Sequence, residues 1–309
     1  MKKRVSSSHN RSAEGQGSDR DQGSKPPVTA PQSGLYLVAT PIGNAADLSF
    51  RAHDILSRVD VVACEDTRVT GKLFTIHAIK ASMISYHEHN ARQVGPGLIE
   101  RMKNGGSVAL VSDAGTPLIS DPGYRLVTAC HQEGVSVTAV PGPSAVTAAL
   151  SISGLPTDRF FFQGFLPPKS AARKTLLAEI GKIPATLVIL ESAKRLPAML
   201  ADAAEVLGPR PAAMTREISK LFEEVRCGGL DELAAHYAEA GPPKGEVTMV
   251  IGGPAEAEEI DDAELDRRIG AALVSMSISA AAKLVAGETG LARNRVYSRA
   301  LTLSNQDET

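Results

Sequence analysis

The chain has 309 residues and a formal net charge of −2, with 43% apolar, 4% aromatic and 22% charged residues. This length predicts two compact units with extensions, and the composition is typical of a soluble globular protein, which excludes disorder of the whole chain. The nearly balanced charge excludes binding of nucleic acid through overall charge, so any basic surface must be local.

The cysteines and the N-terminal segment indicate the compartment. Cys64, Cys130 and Cys227 are widely spaced and contain no CxxC pair, which argues against a disulfide scaffold and against a zinc site. No apolar run reaches the roughly 18 residues that span a bilayer, and the N-terminal segment lacks the apolar stretch of a signal peptide. We therefore expect a cytoplasmic protein with no membrane segment.

Residues 1–32 are rich in Ser, Gly, Gln and charged residues and contain very few large apolar side chains. Such a segment cannot bury enough apolar surface to offset the entropy of ordering, which predicts a disordered tail. Its six Lys and Arg against three Asp and Glu leave an RNA-binding arm as the alternative to a solvated tail.

Residues 33–153 show the pattern of an α/β unit. Short segments that are apolar on both faces alternate with helical stretches, which is typical of a parallel sheet covered by helices. The predicted strands are 35–39, 59–63, 108–111 and 135–140, and the predicted helices lie near 47–58 and 124–132.

The run Gly154-Leu155-Pro156-Thr157 predicts a domain boundary, because Gly and Pro interrupt regular structure there. A second α/β unit is predicted over 154–255, with strands at 160–162, 186–190 and 247–251.

The last part of the chain, 256–309, is predicted to be a linker followed by a helical segment. Its acidic beginning, Glu256 to Asp262, is typical of a linker. Helical stretches at 279–286 and 293–303, broken at Gly287 and Gly290, resemble a helix-turn-helix hairpin. A hairpin that only packs on the domain surface is the alternative.

Three turn-rich segments, 39–44, 112–123 and 141–145, each follow a predicted strand of the first unit. The carboxyl ends of parallel strands share one edge of the sheet, so these loops predict a small-molecule site. The first loop has a single glycine, which disfavours a dinucleotide site. Ala114 and Gly115 in the second allow a ligand to approach backbone N–H groups, and Ser144 in the third can cap a helix or donate to a ligand.

The segment CEDTR at 64–68 places two carboxylates beside an arginine. Glu65 or Asp66 could act as a general base with Arg68 as its charge partner, and a salt-bridged helix start is the alternative. His87 and His89 are two residues apart and do not converge on one helix face, so a metal site is disfavoured.

Several motifs of the chain occur together in one known family. They are VATPIGN at 38–44, CEDTR at 64–68, SDAGTPLISDPG at 112–123, VPGPSA at 140–145, GLPTDRF at 154–160 and GFLPPK at 164–169. With these motifs the chain, from about Leu35 to its end, resembles the ribosomal RNA small subunit methyltransferase I group, whose members are similar to the tetrapyrrole methylases.

The resemblance implies a homodimer whose subunits have two α/β domains of tetrapyrrole-methylase type, with a cofactor cleft between the domains. It implies 2′-O-methylation of a cytidine in 16S ribosomal RNA with S-adenosylmethionine as cofactor, and neither a membrane nor DNA as partner. By position in the shared loops, the cofactor-binding residues would be Ile42, Gly43, Ala114, Gly115, Thr116, Ile119, Ser144 and Ala145.

The chain departs from the family pattern at two places, Lys194 and the polar tail, and it differs from the wider tetrapyrrole methylases at Thr116, as the ribosomal branch does. The wider family often carries Asp where Thr116 stands, so a carboxylate grip on the cofactor cannot be transferred to this residue. Lys194 stands where many relatives carry His, and the polar tail lies outside the family core.

Methyl transfer to a ribose hydroxyl requires alignment of the reacting atoms and removal of a proton from a very weak acid. Glu65, Asp66 and Asp113 are the candidate bases, and Arg68 would orient the carboxylate or an RNA phosphate. No metal is required by this chemistry.

A local charge excess predicts where RNA binds. Residues 159–226 carry 11 Lys and Arg against 7 Asp and Glu, although ordinary surface solubility is the alternative. The candidate RNA contacts are Lys169, Arg173, Lys174, Lys194, Arg195 and Lys220.

Two other functions share part of this pattern. A methyltransferase for a small tetrapyrrole would use the same three loops, although the basic excess and the C-terminal hairpin favour a polyanionic substrate. A module that senses a nucleotide or phosphate would bind its ligand without turnover.

Overall fold

The computed structural model describes residues 31–254, 261–289 and 291–306. Most of the predicted tail and linker therefore lies outside the described residues, as does Gly290. No helix in the described ranges is both long enough and apolar enough to cross a membrane.

The first sheet is parallel, as the apolar segments predict, and has five strands in the order β3-β2-β4-β1-β5, of which β3 was not predicted. Its strands are β1 Gly34–Val38, β2 Val61–Cys64, β3 Met83–Ser85, β4 Ser107–Val111 and β5 Val137–Val140. The helices of this half are α1 Phe50–Leu56, α2 Thr67–Ile76, α3 Ala91–Lys103, α4 Tyr124–Gln132 and α5 Ala145–Ile152.

Strand β4 lies in the middle of the first sheet and is covered on both faces. All five of its residues are buried, because successive side chains point to opposite faces and both faces carry helices. Val108 and Leu110 join an apolar cluster with α3 and α4, whereas Ala109 and Val111 join a cluster with α1 and α2. The sheet is thus buried on both sides, and only its edges and strand ends can form a site.

The second sheet is mixed, in the order β6-β7-β10-β8-β9. β6 and β7 are parallel, and the other three pairings are antiparallel. Its strands are β6 Phe160–Phe165, β7 Thr186–Ser192, β8 Pro211–Arg216, β9 Glu224–Gly229 and β10 Glu246–Ile251, and its helices are α6 Ser170–Ile180, α7 Leu196–Leu207 and α8 Leu230–Ala240.

Helices cover both faces of the second sheet. α6, α7 and α8 form the main apolar cluster with one face. The other face packs against α5 through Val146, Ala149 and Leu150, which contact Val188 and Val250 of the sheet. Helix α5 therefore joins the two halves, although it precedes the boundary predicted at residue 154, and that boundary stays a prediction.

Three helices end the described chain: α9 Asp262–Leu273, α10 Ile278–Thr289 and α11 Arg293–Gln306. They share one apolar cluster that includes Leu265, Val285 and Val296. The two predicted helical stretches are confirmed, but the predicted break at Gly287 is wrong, because α10 continues through this residue to Thr289. The hairpin packs against α9 as a three-helix unit.

Candidate active site

Hydrogen bonds tie together the three loops that follow β1, β4 and β5. Thr40 and Gly115 exchange backbone hydrogen bonds of 2.9 and 3.0 Å, which link the first loop to the second. The Thr116 hydroxyl donates to the Pro143 carbonyl at 3.0 Å, which links the second loop to the third. The prediction that these loops meet at one sheet edge is confirmed.

Gly115 lies where the loops converge and has a backbone that favours glycine. Its φ is +82°, a left-handed conformation that other residues adopt at a cost. A Cβ on Gly115 would lie 3.4 Å from the Ile42 side chain and 3.8 Å from the Pro143 carbonyl oxygen. The absence of a side chain therefore keeps open the space between the loops.

The loops form one wall of a cleft of about 410 Å³, and the second sheet forms the other wall. This volume lies within the usual range for small-molecule sites. The residues of the first wall are Ile42, Asp113, Ala114, Gly115, Thr116, Ile119, Ser120, Asp121, Ser144, Ala145 and Val146. The second wall consists of Phe165, Leu190, Glu191, Ser192, Thr215, Ile218, Gly245, Glu246, Val247 and Thr248.

Seven of the eight residues predicted to bind cofactor line this cleft; Gly43 does not. The position that a Cβ would take on Gly43 is occupied by the aliphatic part of Lys220. Nearby, the Asn44 backbone N–H donates to the Ser219 hydroxyl at 3.2 Å. The Gly43 segment thus packs against the loop between β8 and β9 beside the cleft.

Asp121 is a cleft residue to which the sequence analysis assigned no role. Burial raises its pKa to about 6, the nearby charges of Glu65 and Asp113 add to the rise, and a hydrogen bond with Ser112 opposes it. The signal available in the sequence was the position of Asp121 in the second loop, between two Pro/Gly pairs.

A second cavity adjoins the cleft. It has a volume of about 450 Å³ and is called here the acidic pocket, lined by Glu65, Asp66, Thr67, Arg68, Ser85, His87, His89 and Asp113. Asp113 lines both cavities. The four residues predicted to be catalytic are therefore brought together in one pocket that opens beside the cleft.

Asp66 is engaged within the protein. Its carboxylate accepts the Arg68 backbone N–H at 2.8 Å at the start of α2 and pairs with the Arg68 guanidinium at 2.6 Å. These contacts with Arg68 lower the pKa of Asp66 to about 2. The salt-bridged helix start therefore exists, and it makes Asp66 a poor proton acceptor.

Asp113 and Glu65 differ from Asp66. Partial desolvation raises the pKa of each carboxyl above its ordinary value, and the two charges repel each other. Asp113 Oδ1 accepts the backbone N–H of Asp66 at 3.1 Å, which fixes the position of the Asp113 carboxylate. A raised pKa makes a carboxylate a better proton acceptor.

The structure separates the predicted RNA contacts. Arg173 is only 4% exposed and pairs with Asp202 at 2.6 Å beneath the surface. Its predicted role as an RNA contact does not hold, because a buried guanidinium cannot reach a phosphate. Arg195 is partly buried, donating to the Leu166 carbonyl at 2.6 Å and pairing with Glu191 at 3.1 Å.

The lysines of the predicted set lie closer to solvent. Lys169 and Lys194 are exposed. Lys174 pairs with Glu205 at 2.6 Å, and Lys220 pairs with both Glu217 and Glu246 at 2.9 Å. In the described residues, no group of three or more His, Cys, Asp or Glu side chains is placed to hold a metal ion.

Comparison with known proteins identifies the family. The model of the Tetrapyrrole (Corrin/Porphyrin) Methylases matches residues 34–234, and that of the RsmI C-terminal HTH domain matches 259–304. The chain is 48% identical to the ribosomal RNA small subunit methyltransferase I of Mesorhizobium japonicum, over 90% of this chain and 95% of that protein. The chain belongs to the ribosomal RNA small subunit methyltransferase I family.

Other members of this family are similarly related. The enzyme of Micromonospora olivasterospora is 44% identical over 92% of each chain, and that of Escherichia coli O157:H7 is 41% identical over 87% of this chain and 95% of its own. Two solved structures share the fold. Diphthine synthase has a TM-score of 0.56 at 18% identity and is matched over 71% of this chain and 89% of its own. Cobalt precorrin-4 methyltransferase has a TM-score of 0.53 at 16% identity and is matched over 71% of this chain and 94% of its own.

Proposed function

We propose that the protein methylates the 2′-hydroxyl of a cytidine in 16S ribosomal RNA of the small subunit, with S-adenosylmethionine as methyl donor. The observation that carries this proposal is the shared position of Asp113 between the cleft and the acidic pocket. A group transferred between two ligands must cross where their sites meet. Membership of a family whose relatives carry the name ribosomal RNA small subunit methyltransferase I supports the choice of substrate.

The cleft fits the methyl donor. Gly115 leaves room where the loops converge, and Thr116, Ser144 and the backbone of the loops supply hydrogen-bonding groups. Asp121 supplies a carboxyl group that can face a cationic ligand. When bound, S-adenosylmethionine supplies an electrophilic methyl group on a positively charged sulfur.

Asp113 is the proton acceptor in this proposal. It lies at the junction of both cavities, its pKa is raised, and the Asp66 backbone N–H orients it. As the ribose oxygen forms its bond to the methyl carbon, the carbon–sulfur electron pair goes to sulfur and Asp113 takes the hydroxyl proton. A positioned base of this kind contributes about 10²–10⁴-fold to the rate.

The phosphate backbone of the RNA is held outside the cavities in this proposal. Lys169 and Lys194 are exposed and suited to phosphate contacts, while Lys174, Lys220 and Arg195 would have to exchange protein partners for RNA. We further propose that the protein acts as a cytoplasmic homodimer and that the three-helix unit at its C-terminus contributes to subunit binding.

The test is product mapping. Purified protein and S-adenosylmethionine are incubated with 30S subunits from cells that lack the gene, and 16S fragments are analysed by mass spectrometry. We expect one cytidine to gain a methyl group on its ribose, with none in reactions lacking protein. Methyl transfer to a base, or no transfer to the subunit, would contradict the proposed function.

A further inference from the structure

The proposed function leaves the inner surface of the acidic pocket unexplained. The pocket holds the carboxylates of Glu65 and Asp113, and neither takes part in an ion pair among the described residues. The Arg68 guanidinium in the pocket is paired with Asp66, so the surface as a whole is negative and repels phosphate groups, although the proposed substrate is a polyanion. The part of the RNA that enters the pocket must therefore be an uncharged part, which leaves the nucleoside itself.

The walls of the pocket suit a nucleobase. His87 and His89 contribute two imidazole rings whose centroids are 5.9 Å apart at an angle of 64°. Nucleobases that leave their stack are commonly held against aromatic side chains, including histidine, and are read by hydrogen bonds along their edges. The pocket thus combines ring surfaces with hydrogen-bond acceptors.

The backbone around these histidines is firmly placed. The His87 N–H donates to Asn90 Oδ1 at 2.9 Å, and Asn90 Nδ2 donates to the Ser85 carbonyl at 2.9 Å. The Asn90 side chain therefore holds in place the segment that carries both rings. The His87 Nδ1 atom is buried and has no hydrogen-bond partner within the described part of the chain.

We propose that the acidic pocket receives the target base and that Glu65 accepts a hydrogen bond from its exocyclic amine, which selects cytidine over uridine. Cytosine presents an amino donor at the position where uracil presents a carbonyl oxygen, and Glu or Asp side chains are suitable acceptors for that amine. Uracil would place its carbonyl oxygen against the Glu65 carboxylate, and two acceptors cannot form a hydrogen bond. This inference rests on the proposed function.

In this proposal Asp113 and Glu65 have different roles, proton transfer and base recognition. Asp113 lines both cavities and serves the ribose hydroxyl, whereas Glu65 lines the acidic pocket but not the cleft. The rings of His87 and His89 would stack on either pyrimidine, because stacking depends little on base identity. Base selection and base stacking can therefore be separated by mutation.

The experiment compares two substrates. After product mapping, 30S subunits are prepared with either the mapped cytidine or a uridine at that position, and kcat/KM is measured for each. The wild-type protein should prefer cytidine by about tenfold to a hundredfold. Glu65→Gln should reduce that preference to about threefold or less, because its amide can also donate to a carbonyl oxygen.

Two further variants serve as controls. Glu88→Gln removes an acid from the same segment, but Glu88 lies outside the pocket and pairs with Arg125 at 3.0 Å, so the preference should remain unchanged. His89→Ala should lower kcat/KM on both substrates by similar factors. Affinity for S-adenosylmethionine, measured by calorimetry, checks that each variant is folded.

Equal wild-type rates on cytidine and uridine subunits would overturn the inference whatever the variants do. A wild-type preference that persists in a folded Glu65→Gln protein would also overturn it. Absence of methyl transfer to either subunit would instead contradict the proposed function, so the two failures are distinguishable.

Discussion

Thr40 and Gly115 lie 75 residues apart in the chain, yet each donates its backbone N–H to the carbonyl oxygen of the other. This pair fixes the second loop against the first, and the left-handed backbone of Gly115 makes the geometry possible. The position of Gly115 in the wall of the cleft is therefore fixed by backbone hydrogen bonds.

Gly115→Val should abolish most cofactor binding. Its side chain would enter the space between Ile42 and Pro143, and a residue forced into this conformation also costs about 1–3 kcal/mol of stability. We expect the Kd for S-adenosylmethionine, measured by calorimetry, to rise more than about tenfold, equivalent to about 1.4 kcal/mol.

Gly134→Val is the matched control. Gly134 also has a positive φ, +68°, but a Cβ there meets no heavy atom within 4 Å. The control should lose similar stability and retain its affinity for the cofactor. Equal affinity losses in both variants would mean that backbone strain, and not occupation of the cleft, explains the result.

The pKa of Asp121, raised to about 6, predicts a pH dependence of binding. Its carboxyl is neutral at pH 5 and ionised at pH 7, and a cationic ligand favours the ionised form. Affinity for S-adenosylmethionine should rise by about fivefold over this range, the effect of about 1 kcal/mol. S-adenosylhomocysteine, whose sulfur is uncharged, should show a smaller rise, as measured by calorimetry at each pH.

Asp121→Asn should remove this difference between the two ligands. Because the folded-state pKa lies above the ordinary value of 3.8, ionisation of Asp121 lowers stability as pH rises between that value and about 6. The variant should therefore have a higher Tm than the wild type at pH 7.5. An unchanged pH dependence of S-adenosylmethionine binding in the variant would exclude Asp121 as its source.

Arg173→Ala should destabilise the protein. The Arg173 and Asp202 side chains are 4% and 10% exposed, and removing one partner of a buried ion pair costs about 3–5 kcal/mol. Lys174→Ala, on the adjacent and more exposed pair with Glu205, should cost less than about 1 kcal/mol. Urea unfolding measures both. Weakened subunit binding without loss of stability in Arg173→Ala would restore its RNA role.

Replacing Lys169 and Lys194 together by Ala should weaken binding of 30S subunits. Each lost phosphate contact should reduce the slope of log affinity against log salt by about 0.7–0.9. The control is the double variant of Lys72 and Lys80, two exposed lysines of the first half, which removes the same charge. Equal changes in both double variants would show a general charge effect with no localised RNA surface.

Four of the five strands of the first sheet were predicted, and β3 was missed because it has only three residues, none of them buried. β4 stands out as an apolar run, and α4 matches its predicted bounds. β8 and β9 were not predicted, because Pro211, two alanines and the alternating charges of 224–229 do not resemble a buried strand. Their antiparallel pairing depends on contacts that local pattern does not encode.

The candidate site was also predictable only in part. The three loops were predictable because each follows a strand of one parallel sheet. The opposite wall was not, because Thr215 and Thr248 reach the cleft only through the order of strands in the second sheet. Charge counts also cannot distinguish a buried cation such as Arg173 from an exposed one such as Lys169.

Asp113 is proposed to take the proton where the two cavities meet, and its substitution tests the mechanism most directly. Asp113→Asn keeps the shape of the side chain and removes its basicity, and single-turnover methylation of 30S subunits is measured alongside S-adenosylmethionine affinity. We expect the rate to fall by about 10²–10⁴-fold with affinity changed less than about threefold. A wild-type rate in the folded variant would exclude Asp113 as the proton acceptor.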